Sequence, residues 1–124
     1  MILYGASGHA KVVIDICKKL NINISAIVDD NKAVTSILNY SVCTLNEIDV
    51  IHDKVIISIG NNSVRKRIVE ELHVEFGSIA HPKAVIDITS KIKEGTVVMA
   101  GAVINSSAVI GKHCIVNTSA SIEF

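Results

Sequence analysis

From Ile86 onward, the branched aliphatic residues Ile86, Ile92, Val98, Ile104, Ile110, Val116 and Ile122 recur every six residues without a slip. Neither a strand, with a period of about 2, nor a helix, with a period of about 3.6, can put such a series on one face. Four residues after each of the first six stands a side chain of limited size: Ser90, Thr96, Ala102, Ala108, Cys114 and Ala120. The period therefore carries a second, phased position. A six-residue repeat is the mark of a parallel β-helix, where each short strand forms one flat side of a coil and stacks on the coil beneath. An aliphatic side chain then fills each inner corner. Residues 81–124 are assigned to this architecture, with no helix expected between Ile92 and Val116.

The first 80 residues follow a different rule. Met1 to Tyr4, Ile24 to Val28 and Lys54 to Ile59 read as strands, separated by segments of helical periodicity, the pattern of βαβ units around a parallel sheet. Val12, Val13, Ile16, Cys17 and Leu20 share one face of the first helix, with Lys18 and Lys19 opposite. In the second, Val64, Ile68, Val69 and Leu72 follow Asn61-Asn62-Ser63, whose polar side chains suit an N-cap. The fold class is thus α/β and Rossmann-like over 1–80, followed by the β-helix.

Composition narrows the partners. Twelve Lys and Arg balance twelve Asp and Glu, so no overall field recruits nucleic acid or anionic lipid. Aromatics make up 3% with no Trp, which argues against base-stacking platforms. The apolar runs are short and interrupted, far from the roughly 20 residues that span a bilayer. Met1 runs into Ile2-Leu3-Tyr4 without a basic stretch or a long apolar segment, so a cytoplasmic address is expected rather than secretion. Cys17, Cys43 and Cys114 are widely spaced, with no His at ligand spacing, and read as free, mostly buried thiols with no metal.

The candidate sites cluster at the ends of predicted strands. Gly5-Ala6-Ser7-Gly8-His9-Ala10 closes the first strand and opens a helix, where glycines let backbone approach a phosphate and helix N–H groups attract anions. Ser replaces the second Gly and Ala the third of the full dinucleotide fingerprint, and a turn needing glycine only for its geometry remains the alternative. Asp29 and Asp30 end the second strand, where acids of such folds bond ribose hydroxyls; a solvated Asx turn is the competing reading. Gly60 and Asn61 sit at the carboxyl end of the third strand beside the expected ligand crevice, with Arg65 one helical turn on, either in the site or on an exposed basic face with Lys66 and Arg67. His9 lies in the glycine loop and is placed to donate to a phosphate or sugar. His81 precedes Pro82 at the domain junction, and His52, His73 and His113 are expected to face solvent. No Ser-His-Asp arrangement is visible.

Tyr4 to Lys11 with Val28-Asp29-Asp30-Asn31, then Ile59-Gly60-Asn61-Asn62 with Arg65, then the hexapeptide run entered through His81-Pro82, resemble in order the sugar O-acyltransferases of the sialic acid and bacillosamine acetyltransferase type. The resemblance implies a Rossmann-like domain holding a nucleotide-sugar or sugar through Gly5, Ala6, Ser7, Gly8, His9, Asp29, Asp30, Gly60, Asn61 and Arg65. It also implies a left-handed β-helix that forms a homotrimer and binds acetyl-CoA as co-substrate between subunits. Asn117 matches a position used near the family's acetyl-transfer site, although an Asn in a β-helix turn has a structural use too. The family's general-base His follows a stretch like Asn117 to Glu123, and here that position is Phe124. The resemblance thus implies the N-terminal part of such an enzyme, with Glu123 and Asn117 as supporting candidates and no catalytic His. The function expected is acetyl-CoA-dependent transfer to a nucleotide-linked amino sugar or sialic acid in surface-glycan biosynthesis. A non-catalytic nucleotide-sugar binding module is the alternative; a dinucleotide oxidoreductase is disfavoured by the degenerate loop and the hexapeptide run.

Overall fold

The computed structural model describes residues 1–48 and 52–124. Strand β1 (Ile2–Tyr4) leads through helix α1 (Gly8–Lys19) to strand β2 (Ala26–Val28), and the two strands pair in parallel, Leu3 opposite Ile27. The strands keep their expected places with narrower limits. A hairpin of β3 (Ser36–Ile37) and β4 (Tyr40–Cys43), not anticipated, extends the sheet beyond β2, and β5 (Val55–Ile57) flanks β1 on the other side. The strand order is β3-β4-β2-β1-β5, all parallel except the hairpin's outer strand. The hairpin escaped the sequence reading because its two-residue turn, Leu38–Asn39, holds positive φ angles of 45° and 68° without a glycine. Such a type I′ geometry normally announces itself as Asn-Gly.

Helix α1 covers one face of the sheet with Ala10, Val13, Ile14, Ile16 and Cys17. The buried face is therefore rotated from the one expected: Ile14 and Ala10 are central, while Leu20 is exposed at the helix end. Helix α2 (Asn62–Glu71) is capped by Asn61, whose Oδ1 accepts from Val64 N–H at 3.0 Å, and buries Ile68 against Ile2, Tyr4, Val55 and Ile57 on the opposite face. Both faces of the parallel strands are thus covered, which explains their near-continuous apolar sequence.

The second part is a three-sided parallel β-helix built from β6 (Ile79–Ala80), β7 (Val85–Ile86), β8 (Lys91–Ile92), β9 (Val97–Val98), β10 (Val103–Ile104), β11 (Val109–Ile110), β12 (Ile115–Val116) and β13 (Ser121–Ile122). Ile79 pairs with Val97, Val85 with Val103, Lys91 with Val109, and Val97 with Ile115. Each partner is three hexapeptides away, so one coil comprises three strands and three turns. The ladder begins at β6, two residues before the expected boundary. Val98, Ile104, Ile110 and Val116 fill the inner corners, and Ala102, Ala108, Cys114 and Ala120 pack beside them. Burying each such aliphatic contributes about 1.5–3 kcal/mol, and no helix interrupts residues 92–116.

The turns repeat as strictly as the core. Gly95, Gly101, Ser107, His113 and Ser119, six apart, all have positive φ, between 55° and 78°. Two glycines there meet real demands. A Cβ on Gly95 would lie 2.0 Å from Nδ1 of His113 in the next coil, and one on Gly101 would lie 3.0 Å from Oγ of Ser119.

The two parts share backbone and core. Val55 N–H donates to Glu75 O, Gly77 N–H to Val55 O, Gly95 N–H to Gly77 O and His113 N–H to Glu94 O, each at 2.9–3.0 Å. This chain of bonds carries the edge of the Rossmann-like sheet into the coils and leaves that edge paired rather than open. Ile79 and Val97 of the β-helix belong to the same buried cluster as Leu3, Ile14 and Ile56. His113 is accordingly not solvent-facing as expected. Its ring meets Phe76 edge-on at 4.5 Å and its Nδ1 is buried without a partner. His52 and His73 are exposed.

Candidate functional site

The carboxyl ends of β1, β2 and β5 converge on the loop that starts α1. Gly5 has φ of +124°, and a Cβ there would lie 2.4 Å from Ile59 Cγ1 and 3.0 Å from the Ser58 carbonyl oxygen. Only glycine fits, for the protein's own packing. Gly8 is different: an added Cβ would meet nothing within 4 Å, so its bare backbone faces open space at the helix N-terminus. The side chain of the N-cap residue Ser7 makes no capping bond, which leaves first-turn N–H groups without a side-chain acceptor. An open cleft of about 550 Å³ lies there, lined by Ala6, Ser7, Gly8, Lys11 and the hairpin residues Ser36 to Asn39. Positive helix end, open backbone and a lysine together make an anion-accepting surface.

The two aspartates divide their work. Asp29 accepts from Ala6 N–H at 2.9 Å through Oδ2 and from Asn31 N–H at 2.8 Å through Oδ1, tying the glycine loop to the loop after β2. Asp30 accepts from the Tyr4 hydroxyl at 2.6 Å through Oδ1. Burial, then the bond and charge of Asp30, push the Tyr4 phenol well above its usual range, so it stays a donor. Asp30 thus has one oxygen anchored and the other available to a diol. Tyr4 was not singled out from sequence as a site residue; its signal is that an apolar strand ends in a hydroxyl at the ligand edge. Ser58, fully buried, donates from Oγ to Gly5 O at 2.6 Å and was missed as well.

At the end of β5, Asn61 uses its side-chain oxygen on the cap of α2 and on Ser63 Oγ. Gly60 faces His9, a Cβ on it lying 3.7 Å from the His9 Cβ. His9 has a buried Nε2 without a partner, and burial, followed by the nearby Arg65 charge, holds its pKa below the ordinary histidine value. A neutral imidazole with an unspent nitrogen thus stands beside the glycine loop. Arg65 sits differently from the ligand contact expected. It is 7% exposed and its guanidinium donates to His113 O at 2.9 Å, Ile59 O at 3.0 Å, Gly60 O at 3.2 Å and Asn62 Oδ1 at 2.6 Å. Four protein acceptors occupy it, and it holds the β5–α2 loop against the second coil. Lys66 and Arg67 are exposed, as the basic-face reading had it.

On the β-helix, Glu123 accepts from Asn105 Nδ2 at 3.1 Å. Asn117 is exposed in a turn, its carbonyl accepting from Ala120 N–H at 3.0 Å, and Phe124 is 89% exposed. Cys17 is buried, and Cys43 and Cys114 are half-buried free thiols. Among the described residues no group of three or more His, Cys, Asp or Glu is arranged to hold a metal ion, and no helix is long and apolar enough to cross a membrane.

Comparison with known proteins places these features in context. Residues 1–72 match the family described as the PglD N-terminal domain. UDP-N-acetylbacillosamine N-acetyltransferase of Bacillus subtilis is 34% identical over 118 aligned residues, covering 79% of this chain and 50% of that protein. A variant of perosamine N-acetyltransferase from Caulobacter crescentus, solved with CoA and GDP-perosamine, superposes with a TM-score of 0.86 at 29% identity, over 98% of this chain and 61% of that one. The acetyltransferase domain of PglB from Neisseria gonorrhoeae, solved with acetyl coenzyme A, gives 0.85 at 31% identity, over 98% and 62%. The present chain therefore spans about half the length of the curated relative and about three fifths of the solved ones. The architecture shared with them is a Rossmann-like domain followed by the start of a left-handed β-helix.

Proposed function

The chain belongs to the family of the PglD N-terminal domain, and from that membership we propose that it holds a nucleotide-linked amino sugar for acetylation by acetyl-CoA. The observation that carries the binding half is the cleft at the start of α1. There the open backbone at Gly8, the N-terminal turn and Lys11 suit a diphosphate, and the free oxygen of Asp30 suits the ribose diol. Residues 1–80 supply this site, with Gly60 and His9 on its β5 side. Residues 81–124 supply the face for the acetyl donor.

In the transfer itself, the sugar amine attacks the thioester carbonyl, the C–S bond breaks, and the amine's proton passes to a general base. Holding both reactants in line supplies much of the acceleration. Glu123, fixed by Asn105, and Asn117 are the residues we assign to support that step. The relatives solved with CoA, acetyl coenzyme A and GDP-perosamine support the choice of co-substrate and substrate class. Val85 and Val109, 63% and 59% exposed on outer faces of the coils, support assembly of the β-helix as a homotrimer. A second reading, a nucleotide-sugar binding module without transferase activity, draws on one fact: Phe124, where the resemblance places the base, carries no proton-accepting atom.

Isothermal titration of UDP-N-acetylbacillosamine and GDP-perosamine into the chain and into Asp30→Asn tests the site. The variant keeps an acceptor for Tyr4 but loses the charge, and affinity for the ligand that binds falls about 5- to 30-fold, the cost of a charge-assisted bond. Unchanged affinity refutes the assignment.

A further inference from the structure

Arg65 is a buried cation without a counter-ion. It is 7% exposed, and its four acceptors are three backbone carbonyls and a side-chain amide, all neutral. Among the described residues no carboxylate lies within 4.0 Å of its guanidinium. Buried charges are ordinarily paired, because neutral acceptors replace only part of the hydration that an ion gives up. Burial accordingly pushes the Arg65 pKa below its usual value. A guanidinium also carries five N–H donors, so four acceptors leave one, on Nη2, unspent.

The surroundings add charge of the same sign. Arg65 lines a cleft of about 250 Å³ between α2 and the turn joining β11 to β12. Lys66 and Lys112 stand on its rim, one from each part of the chain, and Glu70 is the one acid among the described residues that line it. Lys66 has no carboxylate within 4.0 Å among the described residues, Glu70 included. Lys112 Nζ meets Glu94 at 3.2 Å, but both side chains are exposed; such a pair contributes little and leaves the ammonium free to turn inward. The His113 ring on the same wall is held neutral, chiefly by burial. Three cations thus face the hollow against one carboxylate. The cleft shares no lining residue with the one at Gly8.

We infer that this cleft binds a phosphate-type oxyanion, which supplies the missing counter-charge to Arg65 through Nη2 while Lys66 and Lys112 close on it from the two parts of the chain. Such an anion offers several acceptor oxygens to donors arriving from different directions, and it ties the Rossmann-like domain to the coils. Amide resonances of the isotope-labelled chain, followed during titration with sodium phosphate at constant pH and ionic strength, test it. Lys66, Lys112 and His113 shift saturably in the millimolar range. Both lysines are exposed, so Lys66→Gln and Lys112→Gln leave the fold standing. Each weakens the binding read at His113 about 3- to 10-fold, while any phosphate bound at Gly8 keeps its affinity within twofold. Phosphate also raises the urea midpoint by mass action, more for the unaltered chain than for the double variant, the general salting effect being common to both. Glycerol 3-phosphate in a parallel titration separates the sources: binding tighter than that of inorganic phosphate assigns a phosphate ester, weaker binding the free ion, and the site stands either way. No saturable shift at the three amides, unchanged affinity in both single variants, or an equal rise in midpoint overturns the site and leaves the nucleotide-sugar reading untouched.

Discussion

Replacing Gly95 by Ala is the sharpest perturbation of the seam between the two parts. The residue sits at φ of +78°, and a new Cβ would lie 2.0 Å from Nδ1 and 2.4 Å from Cε1 of His113. Alanine in the left-handed region costs about 1–2 kcal/mol. The His113 ring cannot stay, and its edge-on contact with Phe76 at 4.5 Å is worth a further ~1 kcal/mol. Moving a packed ring off its neighbours adds about the same again, offset in part by ~0.5 kcal/mol from the stiffer unfolded chain. The expected loss is about 3 kcal/mol in equilibrium urea unfolding. The control lies in the same helix. Ser119 occupies the equivalent turn position above Gly101 with a contact of 3.0 Å to its flexible Oγ, so His113→Ser turns the Gly95 corner into a copy of the Gly101 corner. In that background Gly95→Ala costs only the backbone term less the same offset, about 1 kcal/mol. The same cost in both backgrounds would refute the claim that Gly95 is required by the stacked imidazole.

Arg65→Ala strands the carbonyls of His113, Ile59 and Gly60 and destabilises by about 3 kcal/mol in the same assay; Arg65→Lys recovers under half, because a single ammonium cannot span the fork of acceptors, and full recovery would contradict the clamp. Burial, the leading cause in both, holds His9 and His113 below the ordinary histidine pKa, so the unfolded chain takes up protons that the folded one refuses. Their contribution is present above about pH 7 and is lost as pH falls through about 6.5 toward the depressed values; unfolding between pH 5.5 and 7.5 shows stability rising with pH, and His113→Ser flattens that slope, whereas an unaltered slope refutes the role of that ring. Leu38→Asn relieves a branched side chain at φ of 45° and raises stability by about 0.5–1 kcal/mol, read as a higher urea midpoint; a lower one would show that the exposed Leu38 is packed against something of value.

The β-helix was legible because its geometry leaves the sequence little freedom. A three-sided prism turns one residue in six into each corner, and Ile86 through Ile122 obey. The βαβ order was legible for a similar reason, since β1 and β5 are apolar on both faces. What escaped was decided by partners remote in sequence. Arg65 reads as either a ligand contact or a basic surface residue until His113, 48 positions away, supplies the acceptor that buries it. His113 itself reads as a polar turn residue, and only the hollow over Gly95 and the Phe76 edge explain its place inside. The β3–β4 hairpin was hidden by a turn whose conformation the residues Leu38–Asn39 do not advertise. At the site, the glycine loop and Asp29-Asp30 were visible as a motif, yet the division of labour between the two acids depends on Tyr4, Ala6 and Asn31, which no spacing rule selects. The approach of Asp15, in a helix of the first part, to within 3.9 Å of His81, in a turn of the second, was equally invisible.

The central claim is that the cleft at the start of α1 takes the diphosphate of a nucleotide sugar. Titration of the isotope-labelled chain with UDP and with GDP, followed by backbone amide resonances, tests it residue by residue. The account predicts saturable shifts at Gly8, His9 and Lys11 around the helix N-terminus and at Asp30 and Asn31 beside the ribose. Shifts confined to other surfaces, or none from either nucleotide at millimolar concentration, would contradict it.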